Sequence, residues 1–168
     1  METRQRTAAL TVIVVALVVA TVLVVRDAVD ATGRPDREGV VEVVMQDYRI
    51  EPATLTLPAG EPVRLVFVNQ DEVSHHVTFG RDVVEEDRRD VGFAEDLFAG
   101  LEPRVSPVGA QVELPPPYRG FTVLVRGGQT VTIDVTLPED RVGTWQAGCF
   151  TARGCYYRAG LAAQIVVE

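Results

Sequence analysis

The sequence predicts an all-β domain, a sandwich or barrel, set behind one N-terminal transmembrane helix. Three observations predict it. Short runs rich in valine and threonine recur from Val40 to Glu168, separated by glycine, proline and asparagine, with no βαβ alternation. Ala8 to Val25 is a charge-free apolar run of about 18 residues, near the lower limit for spanning a bilayer. Between them, Asp27 to Gly39 is polar, with Gly33, Pro35 and Gly39, and reads as a tether. The organisation is therefore a cytoplasmic stub and anchor over 1–26, a tether over 27–39, and a β domain over 40–168.

Arg4 and Arg6 precede the apolar run, and Asp27 and Asp30 follow Arg26. Positive charge on the N-terminal side orients the chain with its C-terminal domain outside the cytoplasm. A single-pass protein of the cell membrane follows. A cleavable signal peptide competes with this reading, but its apolar core would span about 7–15 residues before a small-residue cleavage site. Here the run is longer, and the one candidate site is Val29-Asp30-Ala31. Length favours an uncleaved anchor, and on either reading the β domain is exported.

The net charge is −8, and the exported part is more acidic still once Arg4, Arg6 and Arg26 are set aside. Nucleic acid is excluded as a partner, because phosphate binding needs a basic face. An acidic surface serves solubility and could steer a basic redox or accessory protein.

The β elements follow in order. Val40 to Gln46 is valine-rich, Thr54 to Leu57 follows Pro52, and Pro58-Ala59-Gly60-Glu61 makes a turn. Pro62 to Asn69 alternates, with Val63, Leu65 and Phe67 on one face and Arg64, Val66 and Val68 on the other. His75 to Phe79 is a further short strand. Later strands are Phe121 to Val125, Thr130 to Leu137 after the Gly127-Gly128 turn, Gly143 to Cys149, and Ala162 to Val167. Arg81 to Gly120 breaks this rhythm with a charged stretch, Glu85 to Asp90, and with Pro115-Pro116-Pro117. It reads as a long excursion between two strands, with a short helix over Phe93 to Ala99. Met45, Tyr48 and Trp145 read as core residues.

Several stretches resemble the cupredoxin family. Met45 to Pro52 with Thr54 to Leu57 looks like its opening strands; Phe67-Val68-Asn69 followed by Ser74 to Phe79 looks like the segment of the first histidine ligand. Arg126 to Thr132 is similar to the turn and strand before the ligand loop, and Gly143 through Cys149, Gly160-Leu161 and Ile165-Val166-Val167 to that loop and its return strand. The resemblance implies a Greek-key β-sandwich carrying copper, with two histidines and a thiolate in a plane and a weak axial methionine. His75 matches the first histidine and Cys149 the thiolate. Tyr156 falls where the second histidine is expected, and Leu161 where the methionine is expected. An axial leucine is tolerable, since that ligand is weak and long. A phenol of pKa near ~10 is a poor equatorial ligand unless the metal deprotonates it.

His76 does not simply fill the gap, because neighbours on a strand point to opposite faces unless a bulge intervenes. Cys155 lies six residues after Cys149. In an oxidising compartment the two cysteines read as a disulfide, which would remove the thiolate. Reduced, Cys149, Cys155 and His75 make a sulfur-rich set suited to Cu(I). Two functions follow. The first is a copper-binding or electron-transfer module, with His75 and Cys149 as core ligands and Cys155, Tyr156 or His76 as weaker candidates. The second is a metal-free scaffold stapled by Cys149–Cys155 and acting as an interaction module. Neither is an enzyme, since no nucleophile triad or phosphate loop is recognisable.

Overall fold

The computed structural model describes residues 33–151 and 155–168; the transmembrane helix expected over Ala8–Val25 lies outside them. Among the described residues no helix is long and apolar enough to cross a membrane. The elements are β1 (Val40–Gln46), β2 (Arg49–Glu51), β3 (Thr54–Leu57), β4 (Pro62–Asn69), β5 (His75–Glu86), β6 (Arg89–Asp96), β7 (Arg104–Ser106), β8 (Gln111–Val112), β9 (Thr122–Val125), β10 (Thr130–Thr136), β11 (Gly143–Cys149), α1 (Cys155–Ala159) and β12 (Ala162–Val167). One 3₁₀ turn, Glu139–Arg141, precedes β11.

Two sheets face each other. One runs β2-β1-β4-β10-β7; the other runs β3-β12-β11-β5-β9-β8, with β6 paired to β5. The pairs β1–β4 and β3–β12 are parallel, and the other ladders are antiparallel. The alternation read in the sequence becomes the two inner faces. Val41, Val43 and Met45 of β1 and Val63, Leu65 and Phe67 of β4 are buried from one sheet. Val77 and Phe79 of β5, Trp145 and Ala147 of β11 and Ile165 of β12 meet them from the other. Phe67 and Phe79 join the layers edge to face, with ring centroids 5.6 Å apart. Alternating large apolar side chains on two twisted sheets bury one common core, which is the physical basis of a sandwich.

Three expectations need correction. The segment Phe93–Ala99 is not a helix: its first part is the end of β6, and Leu97 to Gly100 form a turn. The excursion 81–120 is not a long loop either, since β5 runs to Glu86 and turns back through Asp87 and Arg88 into β6. Both turn residues have positive φ, 51° and 62°, as a two-residue hairpin turn with the right twist demands. Asp-Arg is an unusual pair there, and this hid the hairpin from a search for Asn-Gly or Asp-Gly. Finally, Tyr48 is not in the core. It sits in the equivalent two-residue turn between β1 and β2, with φ 60°, and is 48% exposed.

Candidate metal centre

Sheet register brings the site together. Cys149 at the end of β11 pairs with Val77 of β5. His75 lies two residues before Val77, hence on the same inner face. Both side chains therefore emerge at one end of the core, and both are fully buried. His76 alternates to the opposite face and is only partly buried, pairing with Leu124 of β9.

The imidazole of His75 is held on one side only. Its Nε2–H donates to the Asp71 carboxylate Oδ2 at 2.8 Å. Its Nδ1 is buried and has no hydrogen-bond partner among the described residues. The Cys149 thiol lies near enough to this ring for the two protonations to be coupled. Yet Nδ1 and the sulfur do not meet in hydrogen-bond geometry. The sulfur's hydrogen-bonding contact is instead Thr151 Oγ1, at 3.2 Å.

Burial, the largest single influence on His75, lowers its pKa, but Cys149 and then Asp71 outweigh it and leave the imidazole above its ordinary value. Burial also acts most strongly on Cys149, pushing the thiol up. His75, Thr151 and the backbone of His76 and Thr151 together reverse that and leave it below the usual thiol value. Each member of the pair thus favours the charged form of the other.

Tyr156 and Leu161, the residues at the positions where the resemblance led us to expect a histidine and a methionine, also lie nearby. Tyr156 on α1 is partly buried and sets its ring at 90° to His75, centroids 5.6 Å apart. It also stacks on the exposed Tyr48, at 5.2 Å and 27°. Leu161 is fully buried, and its carbonyl accepts the Cys149 N–H at 3.1 Å. The Leu161 side chain is hydrocarbon and carries no donor atom. Cys149 carries a free thiol, which gives the Cys149–Cys155 disulfide no support; the side chain of Cys155 lies outside the described residues. Among the described residues, no three His, Cys, Asp or Glu side chains are grouped to hold a metal. A groove of about 620 Å³ exists elsewhere, lined by Glu38, Arg64, Arg104 and Asp134 among others, and does not reach this site.

Asp71 is the residue of this pocket that sequence reasoning missed. Its signal was slight: a carboxylate four residues before a histidine, in a polar loop.

A family model described as a cupredoxin-like domain matches residues 11–100, more than half of the chain. The chain belongs to the cupredoxin family. The matched stretch includes His75 and ends before Cys149. Among solved structures, this cupredoxin is similar to auracyanin B, with 24% identity over 77% of this chain and 88% of that one, at a TM-score of 0.49. It is also similar to a reduced auracyanin from the photosynthetic bacterium Roseiflexus castenholzii, with 16% identity over 77% and 97% of the two chains and a TM-score of 0.49. Auracyanin A from Chloroflexus aurantiacus, described as a "blue" copper protein, matches at 18% identity over 77% and 98%, with a TM-score of 0.49. No curated protein sequence matches the chain.

Proposed function

We propose that this chain is a membrane-anchored, extracytoplasmic cupredoxin that holds a copper ion, as Cu(I), between His75 and Cys149, without a standard blue-copper centre. One observation carries the reading: the buried, unpartnered Nδ1 of His75 beside the low-pKa thiol of Cys149. Leaving a buried nitrogen unsatisfied costs about 1–3 kcal/mol, which a pure scaffold would recover by placing an apolar residue there. A ligand that accepts that lone pair makes sense of the cost. Imidazole with thiolate is a soft donor pair suited to Cu(I).

The missing donors decide which copper chemistry is supported. A second equatorial imidazole is replaced by Tyr156, whose ring is stacked on Tyr48. Where the resemblance expects the weak methionine ligand stands Leu161, which would donate nothing to a metal. Cu(II) prefers four nitrogen and oxygen ligands near a plane, and this donor set does not provide them. Holding or relaying Cu(I) at the membrane surface therefore fits better than rapid electron transfer. A third donor would come from Cys155 or from an accessory protein that exchanges the ion. No catalysis is proposed. The acidic surface suits a basic partner.

The metal-free scaffold is the second reading, favoured by Tyr156 and Leu161 standing where the resemblance expects a histidine and a methionine. One experiment separates the two. The purified reduced chain is titrated with Cu(I) against a chromophoric chelator, alongside His75→Ala and Cys149→Ser. One ion bound per chain, lost in both variants, supports the copper reading. No uptake supports the scaffold. An intense thiolate-to-Cu(II) absorption would overturn the Cu(I) assignment in favour of a blue-type centre.

A further inference from the structure

The loop between β4 and β5 is built around a buried amide. Asn69, 1% exposed, donates through Nδ2 to the carbonyls of Val73 at 2.8 Å and Val125 at 3.0 Å. Its Oδ1 accepts the backbone N–H of Asp71 at 3.0 Å, and its own N–H donates to Gln129 O at 2.9 Å. Asp71 is thus fixed by a side chain that ties its own loop to Val125 of β9. From that position its carboxylate does two things: Oδ1 accepts the N–H of Asp47 at 3.0 Å, and Oδ2 accepts Nε2–H of His75 at 2.8 Å.

The two contacts have chemical consequences. An ionised carboxylate only accepts hydrogen bonds, so the hydrogen of a neutral His75 ring stands on Nε2 and the lone pair on Nδ1. Asp47 opens the two-residue turn that carries Tyr48, and Tyr48 stacks on Tyr156, the ring at the edge of His75. One carboxylate therefore sets the tautomer of the candidate ligand and anchors the turn that presents its aromatic cover.

We propose that Asp71 is the positioning residue of this site: it holds the Nε2–H form of His75, so that Nδ1 is left bare for a soft metal ion. The proposal rests on the copper-holding reading for its metal, but the tautomer it sets is a property of the metal-free protein. A carboxylate behind a ligating histidine orients the ring and strengthens it as a donor, and its loss costs about 10–100-fold in metal affinity. Asp71→Asn keeps an oxygen of the same shape and can still accept from Nε2, whereas Asp71→Ala removes the acceptor.

The test uses the full-length ¹⁵N-labelled chain in detergent micelles, with the metal-free ring nitrogens read by long-range ¹H–¹⁵N correlation at a pH above the end of the His75 titration followed in the same spectra, where the ring is neutral. Expected are a protonated Nε2 and a bare Nδ1 in the wild type, a mixture of tautomers in Asp71→Ala, and retention of the wild-type form in Asp71→Asn. Cu(I) competition titrations should show affinity lower by about 10–100-fold in Asp71→Ala and substantially rescued in Asp71→Asn. An unchanged tautomer in Asp71→Ala overturns the proposal, as does a wild-type ring protonated on Nδ1. If the wild type takes up no Cu(I), the copper reading fails by itself, and the tautomer comparison still decides the role of Asp71. Should Asp71→Ala not fold, the comparison falls to Asp71→Ser, whose shorter side chain withdraws the acceptor, and the same two outcomes apply.

Discussion

Arg158 closes a two-pronged ion pair on Asp90: its Nε and Nη2 reach the two carboxylate oxygens at 2.7 Å each, and Nη2 also meets Glu85 at 2.9 Å. Arg158 belongs to α1, in the candidate ligand loop, while Glu85 and Asp90 flank the turn of the β5–β6 hairpin. The hairpin that the sequence concealed is therefore the support against which that loop is held. Stacked Phe150 and Tyr157, 4.6 Å apart, and Phe93 at 4.9 Å from Phe150 fill the space beneath this clamp.

Removing the clamp should loosen the loop before it unfolds the domain. Arg158→Met is expected to raise amide hydrogen exchange in α1 and at the start of β12, with the β1, β4 and β10 amides unchanged. Asp90 is nearly buried, so its carboxylate loses its chief counter-charge, and Asp90→Asn in the same background should restore part of the protection. Uniform exchange across all strands would show that the ion pair holds no local unit.

Phe67→Ala is expected to destabilise the domain by about 3–5 kcal/mol, the cost of emptying a buried aromatic site. Phe67 has no exposed surface and bridges the two sheets through Phe79. Urea unfolding followed by tryptophan fluorescence measures it, Trp145 being buried in the same core. A loss under about 1 kcal/mol would mean that the two sheets do not share this contact.

His75→Leu should separate stability from binding. The substitution removes the unsatisfied Nδ1, and Asp71, with 17% of its side chain exposed, can turn to water. The metal-free protein is expected to stay within about 1 kcal/mol of the wild type, while Cu(I) uptake is abolished. A penalty of about 3 kcal/mol or more would mark His75 as a structural residue held chiefly by its Asp71 bond.

Gly127→Ala tests the loop that carries Asp71. A Cβ at Gly127 would collide with the backbone carbonyl of Glu72, which belongs to that loop and has no flexible end to swing aside. The expected cost is about 1–3 kcal/mol, the range for overpacking, together with a displaced His75 ring resonance. A full-strength wild-type His75 signal in a stable Gly127→Ala protein would show that the loop adapts freely.

One pH effect follows from the outer face of the first sheet. Arg64 grips Asp134 with two hydrogen bonds, 2.6 and 3.1 Å, and these bonds are the main reason the Asp134 carboxyl titrates below its usual value. A lowered folded-state pKa gives stability that is present above the unfolded value near ~3.9 and disappears as pH falls through the folded one. The Tm gap between wild type and Asp134→Asn should therefore be small at about pH 6 and shrink to nothing towards about pH 3, because both partners are partly exposed. A gap that widens on acidification would refute the assignment.

The fold was legible where side chains alternate. Val63, Leu65 and Phe67, or Trp145 and Ala147, announce an inner face because a strand offers only two faces and burial selects one. That His75 and Cys149 lie on neighbouring strands was legible because each ends or begins such a strand within a recognisable order of segments. The β5–β6 hairpin was not, because its turn depends on two left-handed residues that the types Asp and Arg do not advertise. Asp71 was not legible either. Its role depends on the buried Asn69 that fixes its loop, a relation across space that leaves no periodic trace.

Leu161 gives its carbonyl to the amide of Cys149, and Gly148 pairs with Ala162 on the next rung of the ladder. The segment from Phe150 to Gly160 thus departs from and returns to nearly the same point of the sheet. The ladder closes beneath the segment, which is held to the sandwich instead by Arg158 on Asp90 and Glu85, by Tyr157 on Gln146 and by Tyr156 on Tyr48. The residue at position 156 can then change without altering a rung of that ladder. For the engineer, a new donor set is expected to require changes within this one segment that keep Tyr157 and Arg158, while the frame and the Asp71–His75 unit stay as they are.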